Sequence, residues 1–218
     1  MIDKTEQSRA KQMILSGMSE RLLRFGFDPK PSGQSFYRKL NGGTWAFHLA
    51  FIPHKQDMDL TADVALRLDV VEELVNKHDT KRKASEKRLS MTLGGELGNV
   101  SQGRFKRWTV TELGDVPIIC NQVADAFRTI GIPFLASHFS LPAVNRALVS
   151  TTSADRILAP LLGPRYMRAL ASSYLLGEDA TTTALGIKFE HELAASGDLY
   201  LPDFRNLRQS LARPNDPE

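Results

Sequence analysis

The stretch from Leu22 to Leu68 most constrains what this chain can fold into. A helical apolar stripe ends at Phe25-Gly26-Phe27, and three segments with a period of two follow, the first two joined by Asn41-Gly42-Gly43. Ser35 to Leu40 places Phe36, Arg38 and Leu40 on one side. The returning segment places Trp45, Phe47, Leu49 and Phe51 on one face and Ala46, His48 and Ala50 on the other. Asp59 to Leu68 turns Leu60, Ala62, Val64, Leu66 and Leu68 inward and Thr61, Asp63, Ala65 and Arg67 outward. Three half-buried strands in succession predict an antiparallel meander with one covered face. Asn-Gly predicts a tight turn with positive φ at both central residues.

Around this nucleus the periods alternate. Ile14, Met18, Leu22 and Phe25 predict a helix over about Glu6–Phe25, with Gly26 as its left-handed cap. Asp69 followed by Glu72 reads as a capping box for a short helix ending near His78. Lys77 to Lys87 reads as a charged connector. Leu89, Met91 and Leu93 predict a fourth strand, and Gly94, Gly95, Gly98 and Gly103 a long loop. Arg104–Thr111 predicts a fifth strand, with Trp108 and Val110 on one face.

A helix over Asp115–Ile130 is expected to stop at Gly131, with Ile132-Pro133-Phe134-Leu135 extended beyond it. Ser140 then caps a helix over Leu141–Val149. Helices follow over Asp155–Leu162, Pro164–Leu176, Asp179–Ser196 and Pro202–Ala212, the third carrying an i, i+4, i+8 row of Leu185, Phe189 and Leu193. The fold class is therefore α+β: an antiparallel sheet of about five strands, covered on one face by helices, with a helical C-terminal extension. The expected division is an α+β domain over residues 1–150, a helical extension packed on it over 151–213, and a frayed tail over 214–218.

Several of these residues occur together, in order, in one known group. Leu22-Leu-Arg-Phe-Gly-Phe-Asp, Ser35-Phe-Tyr-Arg, Leu93-Gly-Gly-Glu-Leu-Gly, Arg107-Trp108 and Ile130-Gly-Ile-Pro-Phe-Leu135 resemble a bacterial family of small α+β proteins, the domain of unknown function 4304 family. The resemblance covers about Met13 to Val149. It departs where members carry Cys/His-Leu/Ile-Arg-x-Arg, since here the chain reads Arg88-Leu-Ser-Met-Thr-Leu-Gly. It implies a fold and a bacterial origin, and no activity.

Chemistry is harder to find. His48, His54, His78, His138 and His191 make no H-x-x-x-H or H-E-x-x-H pair, and one cysteine builds no thiolate zinc site, so no metal and no cofactor is expected. His48, among small alanines opposite Trp45 and Phe47, is the best groove-lining histidine. Cys120, in Ile118-Ile119-Cys120, reads as core. Neither a G-x-S-x-G elbow nor a G-x-x-x-x-G-K-[ST] phosphate loop occurs. The lone cysteine, the polar N-terminus and the lack of a long apolar run favour the cytoplasm and no membrane contact.

The net charge of +3 is local in origin. Lys77, Lys81, Arg82, Lys83, Lys87 and Arg88, against Asp79 and Glu86, give a net +4, which leaves −1 for the rest of the chain. Such a run reads either as a solvated loop or as a phosphate-binding segment, extended by Arg104, Lys106 and Arg107 with Trp108 and Phe105 for base stacking. Three functions follow. The first is a non-enzymatic binding or accessory module whose partner is another protein, as in toxin–immunity or defence loci. A basic chain argues against mimicry of nucleic acid by an immunity protein. The second is a nucleic-acid-associated protein using the basic segment. The third is an enzyme with a site between sheet and helices involving His48, Asp63 and Arg67, the last two about 13 Å apart along the strand.

Overall fold

The computed structural model describes residues 2–31 and 33–212, the side chain of Gln102 excepted. The expected frayed tail lies outside the described residues. The fold is α+β, with a five-stranded antiparallel sheet and helices at the C-terminal end. Strands β1 (Ser35–Leu40), β2 (Gly43–Pro53), β3 (Met58–Leu68) and β4 (Leu93–Glu96) lie in that order, and β5 (Trp108–Val110) pairs with the start of β3. The register runs from Ser35 opposite His48 to Leu40 opposite Gly43, and β5 sets Trp108 opposite Leu60. The Asn41-Gly42 loop differs from expectation. Only Gly42 has positive φ (79°) and Asn41 does not, which is the pattern of a type II turn.

The described residues fall into two compact units, one from the stretches up to Leu66 and Gly94–Ser137, the other from Arg67–Leu93 and the described residues from His138 onward. In the first, α1 (Lys4–Leu23) starts at a capping box between Asp3 and Glu6. Its buried stripe is Gln7, Ala10, Ile14, Met18 and Leu22. Gln7 Nε2 donates to the carbonyls of His54 (2.8 Å) and Asp57 (2.9 Å), tying the helix to the β2–β3 turn. The inward residues of β3, Leu60, Ala62, Val64 and Leu66, are wholly buried. The ring of Phe127 meets Phe25, Phe27 and Phe47 edge-on, with centroids 5.5, 5.4 and 4.9 Å away.

The helix expected over Asp115–Ile130 does not stop at Gly131. After a 3-10 turn at Leu113–Asp115, α5 (Val116–Ala126) widens into a π turn (Phe127–Gly131) and continues as α6 (Ile132–His138). The Ile132-Pro133-Phe134-Leu135 stretch is thus helical. Proline lacks an N–H and crowds the preceding turn. The widened turn just before it, in which Ile132 N–H reaches back to the Phe127 carbonyl, accommodates the ring. Gly131 serves packing here. A Cβ would lie 2.6 Å from the Phe127 ring and 3.0 Å from Val64.

The second unit contains α2 (Asp69–His78), α3 (Ala84–Arg88), α7 (Leu141–Val149), α8 (Ser153–Arg156), α9 (Leu162–Leu175), α10 (Asp179–Ser196) and α11 (Leu201–Leu211). Helices α2, α3 and α7, which precede residue 150, group with the later helices. Ser140 caps α7 as expected. The expected Asp69–Glu72 capping box is absent. Asp69 instead accepts from Arg67 Nε at 2.7 Å, while Glu72 is fully buried and takes both Arg168 Nε (2.6 Å) and Nη2 (3.2 Å).

The strand expected at Leu89–Leu93 also moves. Leu89 is 58% exposed, whereas Ser90 and Thr92 are buried. Arg67 Nη1 donates to Ser90 O and Oγ, and Leu68 N–H donates to Thr92 Oγ1. With the hydroxyls inward, β4 falls on Leu93–Glu96, part of the expected glycine loop. The remainder of that loop forms α4 (Leu97–Gln102).

Burial alone would raise the Glu72 carboxyl, but the Arg168 charge and hydrogen bonds hold it below its usual 4.5. Its contribution to stability is therefore present above that pH and is lost as pH falls through the lowered value. We predict that Glu72→Gln, which strands Arg168 in the interior, lowers unfolding free energy by about 3–5 kcal/mol at neutral pH. Urea titrations of the variant should show a smaller acid-side decline than the parent, and Glu72→Met with Arg168→Met should recover most of the loss.

Candidate functional site

The residues named from sequence fall into both units. In the second, the basic stretch is folded. Asp79, 2% exposed, accepts from the backbone N–H groups of Lys81 (2.9 Å) and Arg82 (3.1 Å) and pairs with the Arg82 guanidinium at 3.5 Å. Thr80 donates through its N–H and hydroxyl to Asp203. Lys87 Nζ donates to the Asn76 carbonyl at 2.7 Å. Arg82 and Lys87 are thus spent within the fold, and Lys77, Lys81, Lys83 and Arg88 remain exposed.

Arg104, Lys106, Arg107 and Trp108 belong to the first unit. Trp108 is 6% exposed, so its ring offers no open face to a base, contrary to expectation. Arg107 pairs with Asp59 at 3.3 Å, and Lys106 Nζ lies 5.6 Å from the Trp108 ring centre. Phe105 is the exposed aromatic of this stretch.

His48 is half-buried, and its Nδ1 lies 2.8 Å from Ser35 Oγ. Burial raises the Asp63 carboxyl, with Glu96 adding to the rise and His48 opposing it. Arg67 is spent on Asp69, Lys87 and Ser90 in the second unit. Among the described residues, no group of His, Cys, Asp and Glu is placed to hold a metal ion, and no helix is long and apolar enough to cross a membrane.

A cavity of about 340 Å³ in the second unit was not anticipated. Its walls come from the end of α7, the α8–α9 connection, the first turns of α9 and the face of α10. Every residue from Gly163 to Ser173 on α9 is buried, and that run includes Arg165, which is 4% exposed. Its guanidinium donates to the carbonyls of Ala147 (2.7 Å), Ser150 (2.9 Å) and Asp155 (2.8 Å). Two of these lie where α7 ends, where a cation complements the helix dipole. Three of five N–H donors are used so, and the Asp155 carboxylate nearby adds a favourable charge to the guanidinium.

Exposed Arg156 and Lys188 line the same cavity. The Tyr166 hydroxyl donates to Glu192, and its ring stacks on Phe189 with centroids 3.8 Å apart at 7°. Burial first, then the Glu192 bond and charge, push the phenol up to about 12, so it stays a donor throughout the ordinary pH range. Glu192, the one carboxylate among the residues lining the cavity, also meets Lys188 at 3.9 Å. The sequence signal was an arginine inside an otherwise buried helical run, read only as helix.

Comparison with protein-family models, with curated proteins and with solved structures found no match to this chain.

The thiol of Cys120 is 1% exposed, and burial raises its pKa, opposed by Arg21. A neutral, enclosed thiol is a poor nucleophile. Ellman's reagent at pH 8 should therefore react negligibly with the native protein and rapidly, with one equivalent, in denaturant.

Proposed function

We propose that this protein acts by binding, as an accessory module of the bacterial cytoplasm, and that the cavity of its helical unit holds a small anionic molecule. Arg165 carries this reading. A guanidinium withdrawn from water is costly unless its charge is answered, and here backbone carbonyls and the Asp155 charge answer it without closing the cavity side. Arg165, Arg156 and Lys188 line the cavity against one carboxylate, Glu192, and that excess of positive charge is complementary to a carboxylate or phosphate. The Tyr166 hydroxyl and the Ser150 and Thr151 side chains add polarity suited to fixing orientation.

That the ligand serves to regulate contact with a protein partner, in the manner of toxin–immunity or defence accessory proteins, extends the reading. So does membership of the domain of unknown function 4304 family, supported by the ordered run of short motifs from Leu22 to Leu135.

The test is titration calorimetry with inorganic phosphate, acetate, citrate and a sugar phosphate. At least one should bind and raise the melting temperature. Arg156→Glu and Lys188→Glu, both at exposed positions, should each weaken binding about five- to twentyfold, and Arg156→Glu should leave the unliganded melting temperature unchanged. Absence of binding by every anion, or binding indifferent to both substitutions, would refute the assignment.

A further inference from the structure

In the first unit, the loop from Gly103 to Arg107 is built for display. Glu96, 4% exposed, spends its carboxylate on the backbone N–H groups of Gly98 (3.0 Å), Asn99 (3.1 Å) and Lys106 (3.2 Å). Gly98 approaches the loop so closely that a Cβ there would lie 1.9 Å from the Arg104 carbonyl oxygen. Downstream, buried Trp108 fixes the exit through its pairing with Leu60. Both ends are thus held, by a carboxylate taken out of water and by a close backbone approach. What the held segment presents is Phe105, 69% exposed, with Arg104, Lys106 and Arg107 exposed around it.

We propose that this loop contacts single-stranded nucleic acid, with Phe105 stacking on an unpaired base and Arg104 and Lys106 meeting the flanking phosphates. An exposed ring beside cations matches the two recurring components of such contacts, a stacking surface and phosphate neutralisation. A duplex keeps its base faces stacked and offers none to Phe105. A membrane surface is served less well, because the loop carries a single apolar side chain, and interfacial binding scales with the apolar area buried. Arg107 is partly committed to Asp59, and Lys106 rests over the Trp108 ring, so Arg104 is the freest cation of the three. This contact is independent of the anion cavity.

Fluorescence anisotropy with labelled twelve-nucleotide oligo-uridine and oligo-thymidine, at 50 and 200 mM salt, tests the proposal. The parent should bind, more weakly at the higher salt. Phe105→Ala should lose about tenfold in affinity at both salts with the salt slope unchanged. Arg104→Glu with Lys106→Glu should weaken binding further and reduce the slope by about 1 to 2. Phe105 is exposed, so Phe105→Ala should not move the melting temperature. Three outcomes overturn the proposal. These are no oligonucleotide binding by the parent, binding lost on Lys81→Glu with Lys83→Glu but not on loop substitution, and Phe105-dependent binding to phosphatidylserine vesicles in place of oligonucleotides.

Discussion

A carboxylate and a guanidinium, both sealed from water, set the terms for the helical unit. Glu72 on α2 and Arg168 on α9 are each costly to bury, and their mutual bonds offset that cost only while both are present. The pair therefore acts as a register mark more than as a source of stability, because few placements of α2 on α9 satisfy it. Its influence reaches the sheet. The Ser90 and Thr92 hydroxyls help to lower the Glu72 carboxyl, and the same two residues serve Arg67 and the Leu68 N–H. With those hydroxyls drawn inward, Leu89 must face water, and β4 begins four residues later than its apolar alternation suggests.

Where burial was apolar, the sequence was readable. The three-to-four spacing along α1 and the alternation from Ser35 to Leu68 placed four elements to within about two residues, although Thr61 and Arg67, expected outward, are buried. Where burial was polar, it was not. Ser90, Thr92, Glu72 and Arg165 all sit inside, and each depends on a partner distant in sequence, as Glu72 does on Arg168 and Thr92 on Leu68. No local pattern announces such a partner. Gly131 failed as a stop signal for a related reason, because the Phe127 ring and Val64 require a missing side chain there, whatever the helix does next.

The candidate site was legible only in part. The basic segment was visible as composition, yet Asp79 and Asn76 absorb two of its cations. Trp108 looked available, and its pairing on β3 buries it. By contrast, Arg165 was one of two arginines within a buried helix, and its meaning came from the carbonyls that end α7. Two buried charges thus have visible uses. Glu96 fixes a surface loop, and Arg165 closes one helix while facing a cavity.

The π turn at Phe127–Gly131 carries one residue more than an ordinary α-helical turn needs. Each α-helical residue advances about 100° around the axis. A single-codon deletion in this turn would let the backbone relax to uniform α geometry and would rotate α6 by that angle. Phe134 and Leu135, now buried, would swing toward solvent, while Pro133 would meet an unrelieved carbonyl. Length variation should therefore not be tolerated in these five positions, although a one-residue gap there would look minor in an alignment.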